Sequence, residues 1–184
     1  MSALMRMAVF SLAGATLPVF AAAPVSINPE KFFTQLYEKT CLKEAADFST
    51  LRAKFEEANV PELEKKNADF FLQNKPGTVW IVPNVVGDYL VSINKAGDCS
   101  VYTRGININD VERGFIELLE KTGGSFTLAK TQDETKQANF GPAHFISYTR
   151  TYTANNSHQK FTLVTTIADG AEIQAQATVE ALIE

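Results

Sequence analysis

An α+β domain is predicted from three observations. Apolar residues recur at helical spacing up to residue 72. From residue 78 onward they alternate with polar ones in short runs bounded by turn residues. Like elements also come in runs rather than in βαβ alternation. The expected architecture is N-terminal helices followed by an antiparallel sheet of about seven strands. One helix is inserted between strands, and the helices pack on one face.

Asn28-Pro29-Glu30 reads as a helix start, with Asn as cap, Pro in the first turn and an acid beside the positive end. Phe33, Leu36, Tyr37 and Cys41 follow on one helical face. A second helix is expected from Ser49 to about Ala58, with Leu51 and Phe55 inward. Pro61 opens a third, which carries Leu63, Ala68 and the cluster Phe70-Phe71-Leu72. Asn74-Lys75-Pro76-Gly77 stops it. Residues 78–82 (TVWIV), 89–93 (YLVSI) and 99–103 (CSVYT) then form an antiparallel meander. Asn109-Asp110-Val111-Glu112 resembles a capping box. The helix it starts should bury Val111, Phe115, Leu118 and Leu119 and end at Gly123-Gly124. Residues 125–131 are read as a strand and the polar 132–139 as an exposed loop. Strands are expected at 144–152, 160–168 and 171–181, with turns at Asn155-Asn156-Ser157 and Asp169-Gly170. The first of these turns also fits the N-glycosylation triplet, though asparagine's tolerance of left-handed backbone favours the turn reading.

The first 21 residues have a different character. Arg6 is the only charge before Glu30, and an apolar run follows from residue 7 to 20. A run of about 14 residues is too short for a bilayer core, which needs roughly 20. A basic start, an apolar middle and small residues behind it describe a secretory signal peptide over residues 1–21. Val19 and Ala21 supply the small side chains before a cut between Ala21 and Ala22, whereas a cut after Ala23 would meet Pro24. No cysteine follows the run, so no lipid anchor is expected, and no second long apolar run predicts a membrane span. The mature chain, residues 22–184, is expected to be a single exported domain.

Loss of the leader removes Arg6 and no acid, leaving 16 basic against 21 acidic residues, a net −5. The scattered basic residues and this sign argue against nucleic acid or an anionic membrane as partner. Oligomeric state is not legible.

Only two cysteines are present, Cys41 and Cys99. Neither has a neighbouring His, and two thiols make a poor zinc site, so no metal or other cofactor is expected. Asp98 would raise the pKa of Cys99 and oppose a nucleophilic role. In an oxidising compartment the two should pair, tying the first helix to a central strand. The alternative is a pair of buried free thiols.

No Gly-x-Ser-x-Gly, His-Glu-x-x-His or phosphate-binding glycine loop occurs, and no catalytic set is assigned. His144 and His158 are the only histidines. A turn near residue 156 would place His158 by Thr153 or Ala154, far from His144 and unsuited to a shared metal. His144 is the better general-base candidate. Tyr148, Arg150 and Tyr152 share one strand face, and tyrosines around an arginine are typical of binding surfaces. The same row could instead pack under the helices. Thr162, Thr165, Thr166, Gln174 and Gln176 on facing strands suit a solvated sheet face or a flat polar recognition surface.

The stretches KNADFFLQNKPGTVWIV and KAGDCSVYTRG, followed by GFIELLEK, resemble a group of small exported proteobacterial proteins, some of them lipoproteins. The resemblance runs from Glu30 to Lys121, and this chain lacks the lipoproteins' anchoring cysteine. It implies a Gram-negative periplasm and carries no activity or site residues. Two functions are therefore expected to compete. One is a non-enzymatic periplasmic binding protein with a protein partner: an inhibitor, an immunity protein or an envelope accessory factor. The other is a small hydrolase or ligand-handling enzyme with its site near His144.

Overall fold

The computed structural model describes residues 28–45, 47–121, 124–138, 141–154, 157–168 and 170–180. The leader, residues 1–21, lies outside these, as do Asn155, Asn156 and Asp169 of the two expected turns.

Asn28 caps α1 (Pro29–Tyr37), its Oδ1 accepting from the Lys31 amide at 2.7 Å. The helix runs on into a π turn (Glu38–Leu42) that carries Cys41 inward. Helix α2 (Ser49–Glu57) buries Leu51, and α3 spans Lys65–Leu72. The third helix therefore starts four residues later than Pro61 suggested. Residues 61–63 lie along the sheet edge instead: the Ile81 amide donates to Pro61 O and the Leu63 amide to Val79 O. Gln73 and Asn74 end α3 in left-handed backbone, with φ of 52° and 60°.

Seven antiparallel strands form one sheet in the order β1-β2-β3-β7-β6-β5-β4. They are β1 (Gly77–Val82), β2 (Tyr89–Asn94), β3 (Cys99–Thr103), β4 (Phe126–Ala138), β5 (Gly141–Tyr152), β6 (His158–Thr165) and β7 (Ala175–Val179). The inserted helix α4 (Ile108–Lys121) carries the chain from β3 across the sheet to its far edge. The last strand then pairs with β3 and closes the middle. Gly77 begins β1 where a Cβ would lie only 2.6 Å from Ile93 O, so the close pairing with β2 needs glycine there.

One side of the sheet carries the main core. Phe33, Tyr37, Leu51, Val111, Phe115 and Leu119 from the helices meet Trp80, Val91, Val101, Phe161 and Leu163 from the strands. Cys41 and Cys99 form a disulfide within this layer, with Cα atoms 5.4 Å apart and a separation of 58 positions in sequence. Contrary to the expectation of helices on one face, α3 packs on the other side. Ala68 and Leu72 cover Val79 there, with Phe71 and Leu90 alongside.

Three further differences have physical causes. The cap of α4 is Asn107, whose Oδ1 accepts from the Asp110 amide, so the helix starts before Asn109. The Glu30 carboxylate holds the Asn107 amide at 2.7 Å and ties this start to α1. The polar stretch after Gln132 is no loop: it continues β4 to Ala138 as an edge strand, where charge on an exposed rim blunts aggregation. The final strand begins at Ala175 rather than Ala171, so a longer connection replaces the tight hairpin.

Candidate functional site

The two faces of β5 and β6 separate the candidate residues. His144, Ile146, Tyr148 and Arg150 point to the helix side, while Ser147 and its cross-strand neighbour Thr162 point to the open side. Tyr148 is 6% exposed and belongs to the core. Arg150 and Tyr152 are half-buried. The Arg150 guanidinium lies 4.3 Å from the Phe126 ring centroid and 4.7 Å from that of Phe161. Tyr152 donates to Gln159 Oε1 at 3.1 Å and packs edge-on against Phe126. The row expected to form a contact surface thus spends its aromatic area on packing beside the helix layer. Period-two alternation identifies which residues share a face, but it does not say which face is covered.

His144 stands at the edge of the helix layer, 31% exposed. Its Nδ1 lies 2.8 Å from Glu112 Oε1 of α4, and its Nε2 lies 2.9 Å from Asp133 Oδ1 of β4. Thr165 of β6 also donates to Glu112 Oε1. A β-bulge between Lys130 and Gln132 makes this possible. The extra residue, Thr131, shifts the alternation by one, so Asp133 falls opposite Ile146 on the helix side and Gln132 falls opposite Ser147 on the open side. Burial opposes a charge on His144, but the bonds to Glu112 and Asp133 outweigh it and raise its pKa above the ordinary histidine value. Two ionised carboxylates can only accept, so the ring that satisfies both is an imidazolium. In that state both nitrogens donate, and the ring clamps α4 and β4 together through Glu112 and Asp133. His158 sits opposite Thr151 and bonds its hydroxyl at 3.0 Å, well along the hairpin from His144. Among the described residues, no three His, Cys, Asp or Glu side chains are placed to hold a metal ion.

The open face carries the other arrangement. Ser92, Asn94, Ser100 and Tyr102 lie on the side of β2 and β3 away from the main core, yet they are only 3–8% exposed. Side chains on a solvated sheet face would be open to water. These instead form the floor of a recess of about 450 Å³ between α3 and the outer strands, which Thr162, Gln176 and Thr178 continue. The sequence placed Thr162 and Gln176 on a face that suited either plain solvation or polar recognition. Sequence reasoning missed Ser92, Ser100 and Tyr102, because a strand with a polar residue at every second position looks the same whether its outer face is flat or recessed.

The floor is hydrogen-bonded in an orderly way. Tyr102 donates its hydroxyl proton to Phe71 O at 2.9 Å, and Ser92 Oγ lies 3.1 Å from the Tyr102 hydroxyl oxygen. Burial raises the Tyr102 pKa, and the Ser92 bond works against it, so the phenol stays protonated at neutral pH. Ser100 and Thr178 hydroxyls are 2.8 Å apart, and Gln176 donates to Thr178 at 3.1 Å. Around the rim, cations and acids are paired: Lys75 with Asp98, Lys160 with Glu180 and Lys136 with Glu134. Beside the recess, and sharing Phe71 and Tyr102 with it, a second cleft of about 430 Å³ is lined by Leu63, Ile81, Leu90 and Ile173. Among the described residues, no helix is long and apolar enough to cross a membrane. Compared with known proteins, the chain matches no family model, no curated protein and no solved structure.

Proposed function

We propose that this is an exported periplasmic protein of a Gram-negative bacterium that acts by binding, as an inhibitor, immunity protein or envelope accessory factor. Its contact surface is the recessed open face of the sheet. One observation carries this reading: the polar side chains of the central strands line a recess of about 450 Å³ instead of standing in solvent. That volume falls within the range of ligand sites, roughly 300–1,000 Å³. The disulfide is compatible with an oxidising compartment. The leader ends at Ala21, and the mature chain begins Ala22-Ala23-Pro24.

His144 supports the same reading from the opposite direction. Its two nitrogens are both held by carboxylates of the fold, so the ring ties α4 to the sheet edge. The test is to titrate isotope-labelled mature protein with size fractions of periplasmic extract and map the perturbed amides. Shifts centred on Ser92, Ser100, Thr162 and Gln176 support the proposal. Shifts centred on His144, accompanied by turnover of an added substrate, would instead favour the enzyme.

A further inference from the structure

We infer that the recess binds a neutral saccharide, an inference that rests on the envelope accessory form of the binding function proposed above. The argument follows from where each proton on the floor goes. Tyr102 gives its only hydroxyl proton to Phe71 O, so Ser92 must donate to Tyr102 and keeps its own lone pairs for a ligand. Ser147 gives its proton to Gln132 Oε1 at 3.0 Å, so the bond of 3.1 Å between Ser147 and Thr162 is donated by Thr162. Thr162 is thereby left as an acceptor. Of the Ser100–Thr178 pair, one hydroxyl donates to the other; with Ser100 as the donor, Thr178 keeps its proton to give outward. Gln176 uses one N–H on Thr178 and retains its other N–H and its carbonyl. The floor therefore offers donors and acceptors side by side, held in place by their own network.

A ligand made of hydroxyl groups satisfies such a floor, because each hydroxyl both donates and accepts. A carboxylate or phosphate accepts only, and an ammonium donates only, so either would leave half the floor unmet at a real cost. The rim adds no bias toward charge, since Lys75, Lys160 and Lys136 each face an acid within 3.4 Å. Phe71 and Phe145 also line the recess and supply apolar area for the C–H faces of a sugar ring.

The experiment uses the full mature protein and four probes: maltotriose, the trimer of N-acetylglucosamine, trigalacturonate as an anionic control and trialanine as a peptide control. Each is followed by calorimetry and by amide shifts at about 10 mM, where even a Kd of about 1 mM gives near-complete occupancy. The expected result is saturable binding of at least one neutral trisaccharide, with shifts at Ser92, Ser100, Thr162 and Thr178. Thr178→Val and Gln176→Met should each weaken it by about three- to tenfold without changing the melting temperature. Should one of these variants fail to fold, the other still reads the contact. Absence of saturable shifts with both neutral sugars overturns the saccharide. Trialanine shifting the same amides overturns the saccharide while leaving the binding function standing. Trigalacturonate binding more tightly than either neutral sugar overturns the argument from charge.

Discussion

His144 Nδ1 lies 2.8 Å from Glu112 Oε1, a contact that fastens the second turn of α4 to β5. Asp133 completes the grip from the other side, and the bulge at Thr131 is what turns it there. The clamp should therefore depend on pH in a defined direction. The pKa of His144 is raised in the folded chain, so its contribution is full below the ordinary histidine value of about 6.5 and is lost as pH rises through the raised value. The pKa of Asp133 is lowered, chiefly by its bond to Lys130 and then by His144. Its contribution is present above about pH 4 and is lost as pH falls through the lowered value. The window of full effect is thus about pH 4 to 6.5. Urea melts of the protein and of His144→Gln should differ by about 1 kcal/mol near pH 5.5, after allowance for solvent screening, and should converge as pH rises through the raised His144 value. A difference that stays constant from acid to alkaline pH would count against a charged clamp.

The disulfide should make a large contribution to stability. Cys99→Ala is expected to lower stability by about 2–4 kcal/mol, because the closed loop is long and the half-cystines sit in the core. Mass spectrometry without reductant should find one internal cross-link, and a thiol titre on folded protein should be zero.

Tyr148→Ala should cost about 3–5 kcal/mol, the range for deleting a large buried aromatic. Arg150→Ala should be milder, at about 1–2 kcal/mol, because it loses two ring contacts in a half-buried site. Neither substitution should alter binding by the folded fraction. Measuring affinity after correcting for the unfolded fraction checks this.

The signal-peptide reading is tested by N-terminal sequencing of material exported from cells. The expected start is Ala-Ala-Pro. Retention of Met1 in a soluble exported form would remove the leader and, with it, the compartment.

The α+β class, the order of elements and the pairing of Cys41 with Cys99 were legible because each has a local or compositional cause. Alternation marks the strands, the Asn28 cap marks the start of α1, and only two thiols exist to pair. What escaped depends on contacts between distant segments. The polar run after Gln132 looked like a loop because an edge strand exposed on its outer rim has no apolar row to display. The recess escaped because Ser92 and Ser100 acquire their burial from α3 and the outer strands, not from their own neighbours. The Tyr148 row stayed open between a contact surface and core packing, because residue type suggests recognition while alternation does not say which face is covered; the structure places Tyr148 in the core. The bulge at Thr131 has no sequence signature of its own, yet it decides which face Asp133 and Gln132 occupy.

The central claim is that the recessed face is what binds, and blocking that face tests it most directly. Thr162→Trp places a large ring in the recess, from a half-buried position on the open face. Wild-type mature protein and this variant, with matched melting temperatures, are each used to capture ligands from periplasmic extract. The account predicts that whatever the wild type retains is lost from Thr162→Trp. Equal retention by both proteins would contradict it.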